Sequence, residues 1–401
     1  MFLQRITLCV LITVSFESIA QNQKKKPASF FFQKGEEAMD VQSYKTALAH
    51  FNECLRLDPY YMEAYFYRAQ VRENMGDSRG ALTDFNIYLE SKPQNAEALF
   101  SRAMLRYQYS QWAMAREDFL KLLTTPKGET RSVFFATDRE SGNPIVTTQS
   151  NMTPSILNYL GLVDSKMKNY ARAVKYLDSA IQFDQKNAEF YINRGWAYQE
   201  MRDTVHATED YEKALTLNTE SSLARYNLAV LSAKKGNLKE VEKLLTEAIE
   251  RSPQDAIYHT GRAINFTAQG DLPKALWDYN LSIHLDNSNA DVWLRRGILK
   301  QKMKDLHGAL TDFTQSIKLK DDNEKTWMCR GNLMMELKRM KEAVEDFTIA
   351  STLKPEFGLA YYSRAIAYQR DGNLKDACDD LKRAQDLGTS IDAKMKAMVC
   401  K

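Results

Sequence analysis

The chain has little of what catalytic and metal-binding proteins concentrate. Its 401 residues hold five histidines, five cysteines, nine prolines and sixteen glycines. His50, His206, His259, His284 and His307 are scattered, and no His-Glu-x-x-His, Cys-x-x-Cys or Gly-x-Ser-x-Gly arrangement occurs. With those constellations missing, no catalytic residue, metal site or cofactor is assigned, and the chain is read as no enzyme. No glycine cluster joins a strand to a helix, so a phosphate-binding loop is excluded as well. A net charge of +3 gives no electrostatic case for nucleic acid. The apolar run at residues 6–16 falls short of the ~20 residues that cross a bilayer, so no integral span is expected. Scarce glycine and proline leave long stretches free of helix breakers.

What is present is a period. Residues 324–357 place Trp327, Arg330, Gly331 and Met334 on one helical face, then Ala343, Phe347 and Ala350 on a second, and close with Pro355. With Glu324 as position 1, steps of 34 residues in both directions repeat the pattern. Position 8 is Gly35, Ala69, Ala103, Gly161, Gly195, Ala229, Ala263, Gly297, Gly331 and Ala365. Position 20 is alanine throughout except for Val241, and position 24 is always large and apolar or aromatic, from Phe51 to Leu381. A small residue opposite a small residue lets two helices approach, and the large one fills the space beside them.

This pattern resembles the tetratricopeptide repeat over roughly residues 28–391. The resemblance implies an all-α fold, a right-handed superhelical solenoid of about ten helix–turn–helix repeats whose first helices line a concave groove for peptide segments. The expected organisation is a signal peptide at 1–20, a polar leader at 21–27, repeats at 28–129, an insertion at 130–153, repeats at 154–391 and a capping helix at 392–401. The signal is read from the apolar run and from Ser18-Ile19-Ala20, a small-x-small cleavage site. It makes the protein exported, to the periplasm or cell surface, and soluble after cleavage. The insertion follows from arithmetic: Ala115 to Ala173 is 58 residues, one period plus 24. Its β-prone runs at 132–137 and 144–148 flank turn chemistry at 138–143, which reads as a short β-hairpin.

Two columns of the repeat carry charge. Position 7 is Arg68, Arg102, Arg194, Arg262, Arg296, Arg330 and Arg364; position 23 of those same repeats is Asp84, Asp118, Asp210, Asp278, Asp312, Asp346 and Asp380. The three remaining repeats lack both residues. Pairing within a repeat leaves none unmatched, so each pair is expected to clamp the two helices of its own repeat.

Positions 5 and 9 point away from the second helix, at 100° per residue. They supply the candidate groove: Phe66, Phe100, Ile192, Trp196, Tyr226, Ile264, Leu294, Ile298, Met328 and Tyr362. These side chains either form an apolar floor for a partner or pack each first helix against the next. Among tetratricopeptide proteins, the chaperone-binding members use lysine at position 5 and asparagine at position 9 to grip a C-terminal carboxylate. Here no position 5 is lysine and the only asparagine at position 9 is Asn332, so that specificity is not implied. Export permits disulfides, and Cys378 with Cys400 is the expected bridge, because a capping helix antiparallel to the last repeat helix brings them level. Cys54 and Cys329 lie in repeats too far apart to pair. The reading that results is a non-catalytic scaffold or adaptor in the cell envelope that binds one or more proteins or peptides. Its alternatives are a peptide-ligand receptor with the insertion as lid, or an accessory subunit of an envelope enzyme or secretion complex.

Overall fold

The computed structural model describes residues 26–124 and 152–400. Among them are twenty-one helices and no strand. In chain order these are α1 (Ala28–Asp40), α2 (Tyr44–Leu57), α3 (Met62–Asn74), α4 (Ser78–Ser91), α5 (Ala96–Gln108), α6 (Trp112–Thr124), α7 (Thr153–Lys166) and α8 (Tyr170–Phe183). There follow α9 (Ala188–Glu200), α10 (Thr204–Leu217), α11 (Ser222–Lys234), α12 (Leu238–Arg251), α13 (Ala256–Gln269), α14 (Leu272–Leu285) and α15 (Ala290–Lys302). The last are α16 (Leu306–Leu319), α17 (Glu324–Glu336), α18 (Met340–Leu353), α19 (Gly358–Asp371), α20 (Leu374–Asp386) and α21 (Ala393–Val399). They form two compact bodies, divided between Lys186 and Asn187. Within each body consecutive helices pack in pairs, and each pair packs on the next.

Local chemistry explains where the helices begin and end. The turn inside each pair places position 15 in the left-handed region: Gly76, Gly236, Gly270 and Gly372 at φ of 75–87°, and Gln42, Ser110, Lys168, Arg202, Lys304 and Lys338 at 55–67°. That residue reverses the chain after the first helix. Asp or Asn then caps the next helix in many repeats, as where Asp305 Oδ1 accepts from the Gly308 amide at 2.9 Å.

The small residues at position 8 are a packing requirement. A β-carbon at Gly331 would lie 2.6 Å from Phe347 Cε1, and one at Gly297 would lie 2.6 Å from Phe313 Cε1. Phe51, Phe85, Phe119, Phe313 and Phe347, all at position 24, are fully buried. Position 24 is thus the core of every pair, and the neighbouring first helix leaves room for it.

The hairpin expected over 130–153 lies outside the described residues, except for Met152 and Thr153. Those two are not extended: Met152 has helical dihedrals and caps α7, whose early Pro154 suits a first turn. Packing in the first body continues from α6 to α7. Phe119 and Tyr159 stack at 5.4 Å, and Arg116 Nε lies 3.2 Å from Asp164 Oδ1.

Candidate functional site

The arginine and aspartate columns meet in a repeated geometry. In all seven repeats Nε and Nη2 of the arginine donate to the two carboxylate oxygens of its own aspartate. Arg330 reaches Asp346 at 2.9 and 2.7 Å, and Arg364 reaches Asp380 at 2.7 Å for both bonds. Arg68–Asp84, Arg102–Asp118, Arg194–Asp210, Arg262–Asp278 and Arg296–Asp312 do the same at 2.7–3.0 Å. Such two-point pairing fixes direction as well as distance.

The third arginine nitrogen does something the paired columns do not announce. Nη1 of Arg68, Arg102, Arg262, Arg296 and Arg364 reaches back to position 25 of the preceding repeat. The acceptors are Asn52, Asn86, Thr246, Asn280 and Thr348, at 2.8–3.2 Å. An aromatic ring at position 4 lies beside several guanidinium groups, as Trp293 and Trp327 do beside Arg296 and Arg330 at 4.8 Å. One side chain therefore joins its own second helix to the repeat before it.

Some aspartates hold two cations. Arg72 joins Asp84 at 2.8 Å, Arg106 joins Asp118 at 2.6 Å and Lys300 joins Asp312 at 3.0 Å. Asp278 instead has His259 Nδ1 at 3.4 Å, a buried imidazole whose Nε2 lies 3.0 Å from the Pro253 carbonyl. Burial pushes the Asp346 carboxyl above its ordinary value despite Arg330. Two repeats without the arginine–aspartate columns carry other pairs: Asp164 with Arg172 at 2.6 Å, and Arg225 with Glu247 at 3.0 Å.

Position 5 departs from the groove expectation. Phe66, Ile192, Leu294 and Met328 are buried, and Phe100, Tyr226 and Tyr362 are partly so. These side chains lie over their own second helix or the next repeat. The Phe66 ring sits 6.1 Å from Phe85 and 5.0 Å from Tyr88, and Tyr226 sits 5.6 Å from Tyr258. They cement helices, and in this arrangement the buried ones have little surface to offer a partner. Trp196, at position 9, is partly buried.

The outward surface lies instead at positions 2 and 9, seven residues apart and hence on one helical face. In the second body Leu223 is 48% exposed, Ile257 46%, Ile264 39%, Ile298 44% and Leu359 47%. Position 2 escaped sequence reasoning, because only positions 5 and 9 were taken to point outward. The signal was available: three aliphatic residues share a column elsewhere filled by Ser, Glu, Asp and Lys.

Cys378 and Cys400 form a disulfide of 2.08 Å between α20 and the end of α21. Met395 and Val399 of α21 are buried with Ala365, Ala377 and Leu381. Cys54 is buried and Cys329 partly buried, and burial pushes both thiols up to about 11. No helix among the described residues is long and apolar enough to cross a membrane. Asn265, which opens an Asn-Phe-Thr sequence of the glycosylation type, is buried and donates to the Leu238 carbonyl at 3.0 Å, which leaves it unavailable in the folded chain.

Comparison with known proteins agrees with this architecture. Tetratricopeptide-repeat models match residues 68–129 and 199–264. Together with the helix pairs and their 34-residue period, this makes the chain a tetratricopeptide-repeat protein. BBSome complex member BBS4 of Bos taurus is 35% identical over 21% of this chain and 16% of its own length. Human tetratricopeptide repeat protein 6 is 23% identical over 38% of this chain and 30% of its own length. The curated relatives are thus matched over at most about a third of their length. A crystal structure of a tetratricopeptide repeat protein from Parabacteroides merdae superposes with a TM-score of 0.42 at 18% identity, over 77% of this chain and 98% of that one.

Proposed function

We propose that this chain is a non-catalytic scaffold of the cell envelope, built of ten repeats, which holds protein segments against the outward faces of its first helices. The reading rests on one observation: Leu223, Ile257, Ile264 and Ile298 stand partly open on successive first helices of the second body. Neighbouring exposed aliphatic groups are costly to leave in water and characterise surfaces that other proteins cover. Export is supported by the apolar run and cleavage pattern before Gln21, and by the Cys378–Cys400 bridge, which suits an oxidising compartment. The paired arginine and aspartate columns serve the fold in this reading, since they bond to each other and to neighbouring side chains of the repeats.

A library of random 15-residue peptides displayed on phage tests the surface. The wild-type protein should enrich clones over successive rounds, and the Ile264→Glu/Ile298→Glu variant should lose them. Both side chains are exposed, so an unchanged circular-dichroism melting curve verifies that the variant folds. Equal recovery of clones on the two proteins would remove the surface as the binding site.

A further inference from the structure

The exposed face of the second body is centred on α13, and its chemistry is graded around that helix. Ile257, Gly261, Ile264 and Ala268 follow at spacings of four, three and four residues, a single uncharged stripe. At position 13 the sequence across neighbouring first helices runs Glu200, Lys234, Ala268, Lys302, Glu336. Lys234 and Lys302, both exposed, therefore stand on α11 and α15 at the level where the apolar stripe ends. The acidic members of the column come only one repeat further out. Arg295 of α15, at the level of Gly261, is paired with Asp291 at 2.5 Å, so it adds no net charge to the face.

Gly261 sits where the preceding repeat leaves little room for a side chain. A β-carbon there would lie 3.3 Å from Leu245 Cδ2 and 3.4 Å from Tyr226 Cε2, both movable side-chain atoms. The position-8 glycines behave differently, with rings 2.6 Å from the same imaginary atom at Gly297 and Gly331. Glycine inside a helix costs about 1 kcal/mol relative to alanine, and at Gly261 the close approach of Leu245 and Tyr226 offsets part of that.

We infer that the α13 face receives an amphipathic peptide segment whose apolar side chains pack on Ile257 and Ile264, and whose carboxylates meet Lys234 and Lys302. Charge complementarity selects this occupant: a basic segment would meet two ammonium groups with no acid between them at that level. The inference rests on the scaffold reading above and gives its partner a chemistry.

The same displayed library, sequenced after selection, separates the two ideas. Clones held by the wild-type protein should be rich in Asp and Glu beside an apolar stripe. For one such clone, made as a synthetic peptide, Lys234→Glu/Lys302→Glu should weaken binding by about tenfold or more, since like charges then face each other. That loss should shrink at high salt, where exposed charges are screened. Ile257→Glu should weaken the peptide by a similar factor at unchanged melting temperature, since its side chain is exposed. Clones without acidic bias, or affinity indifferent to the charge reversal, would overturn the inference while leaving the binding face intact. Recovery of no clones at all would overturn both.

Discussion

The two bodies treat the outward faces of their first helices differently. In the first three repeats of the first body position 5 is aromatic and runs through a chain of ring contacts: Phe32 lies 4.9 Å from Tyr61, Phe66 lies 5.0 Å from Tyr88, and Phe100 lies 5.9 Å from Tyr159. Positions 2 and 9 beside these rings include Glu63, Glu97, Glu36 and Gln70, and Gln70 donates to Glu97 at 2.8 Å. Rings fill the interior there and polar groups cover it. In the second body position 5 is mixed, with Ile192, Tyr226, Thr260, Leu294, Met328 and Tyr362, and aliphatic residues stand open at positions 2 and 9. One repeat pattern thus yields a surface sealed mostly by polar groups in one body and an apolar one in the other. The columns that hold a repeat together are separate from those left open to solvent, so the latter can change freely.

The clamps allow a sharp comparison between the bodies. Asp118 of the first body is held by both Arg102 and Arg106, whereas the bonds described for Asp346 of the second body come from Arg330 alone. Arg330→Ala leaves a buried carboxylate without its cation and should cost ~3–5 kcal/mol. Arg102→Ala keeps Arg106 in place and should cost clearly less. Urea unfolding of each variant measures both, and equal losses would mean that the second cation contributes nothing.

The closing end of the second body depends on a covalent link, and its loss should have the next largest effect. The bridge closes a loop across 22 residues of sequence separation, which corresponds to ~3 kcal/mol of restraint on the unfolded chain. Cys400→Ser should lower stability by about that amount and speed hydrogen exchange in α20 and α21 first. Exchange that rises evenly through both bodies would contradict a local role.

The smallest effect concerns a buried carboxyl in the first body. Burial pushes Glu73, at position 12, up to about 7 from its ordinary 4.5. The same position in the second body is Gln199, Ala233, Thr267, Gln301, Met335 and Gln369, with no acid among them. The folded protein keeps the Glu73 proton to near neutrality while the unfolded chain releases it near 4.5, so stability falls as pH rises through that window. Glu73→Gln should therefore match the wild type near pH 4 and exceed it near pH 8 by on the order of 1–2 kcal/mol, allowing for solvent screening of a half-buried group. Melting curves at the two pH values check this, and a constant offset would rule out titration of Glu73.

Much of this protein was legible one column at a time. Gly331 opposite Ala343 and Phe347 states that two helices approach closely, because only small residues admit the ring. The arginines and aspartates, absent from the same three repeats, state that they belong together. Column 25, with Asn52, Asn86, Asn280, Thr246 and Thr348, carried the link between repeats, but a polar residue on a second helix gives no sign of which neighbour it faces. Which of positions 2, 5 and 9 opens to solvent could not be read from the 100° step. That step orders side chains around one helix, whereas exposure depends on how far the next repeat covers each of them. Phe66 and Leu294 became interior and Ile257 became surface for that reason: periodicity determines the pairing of helices, and only tertiary packing decides which of their remaining faces is left uncovered.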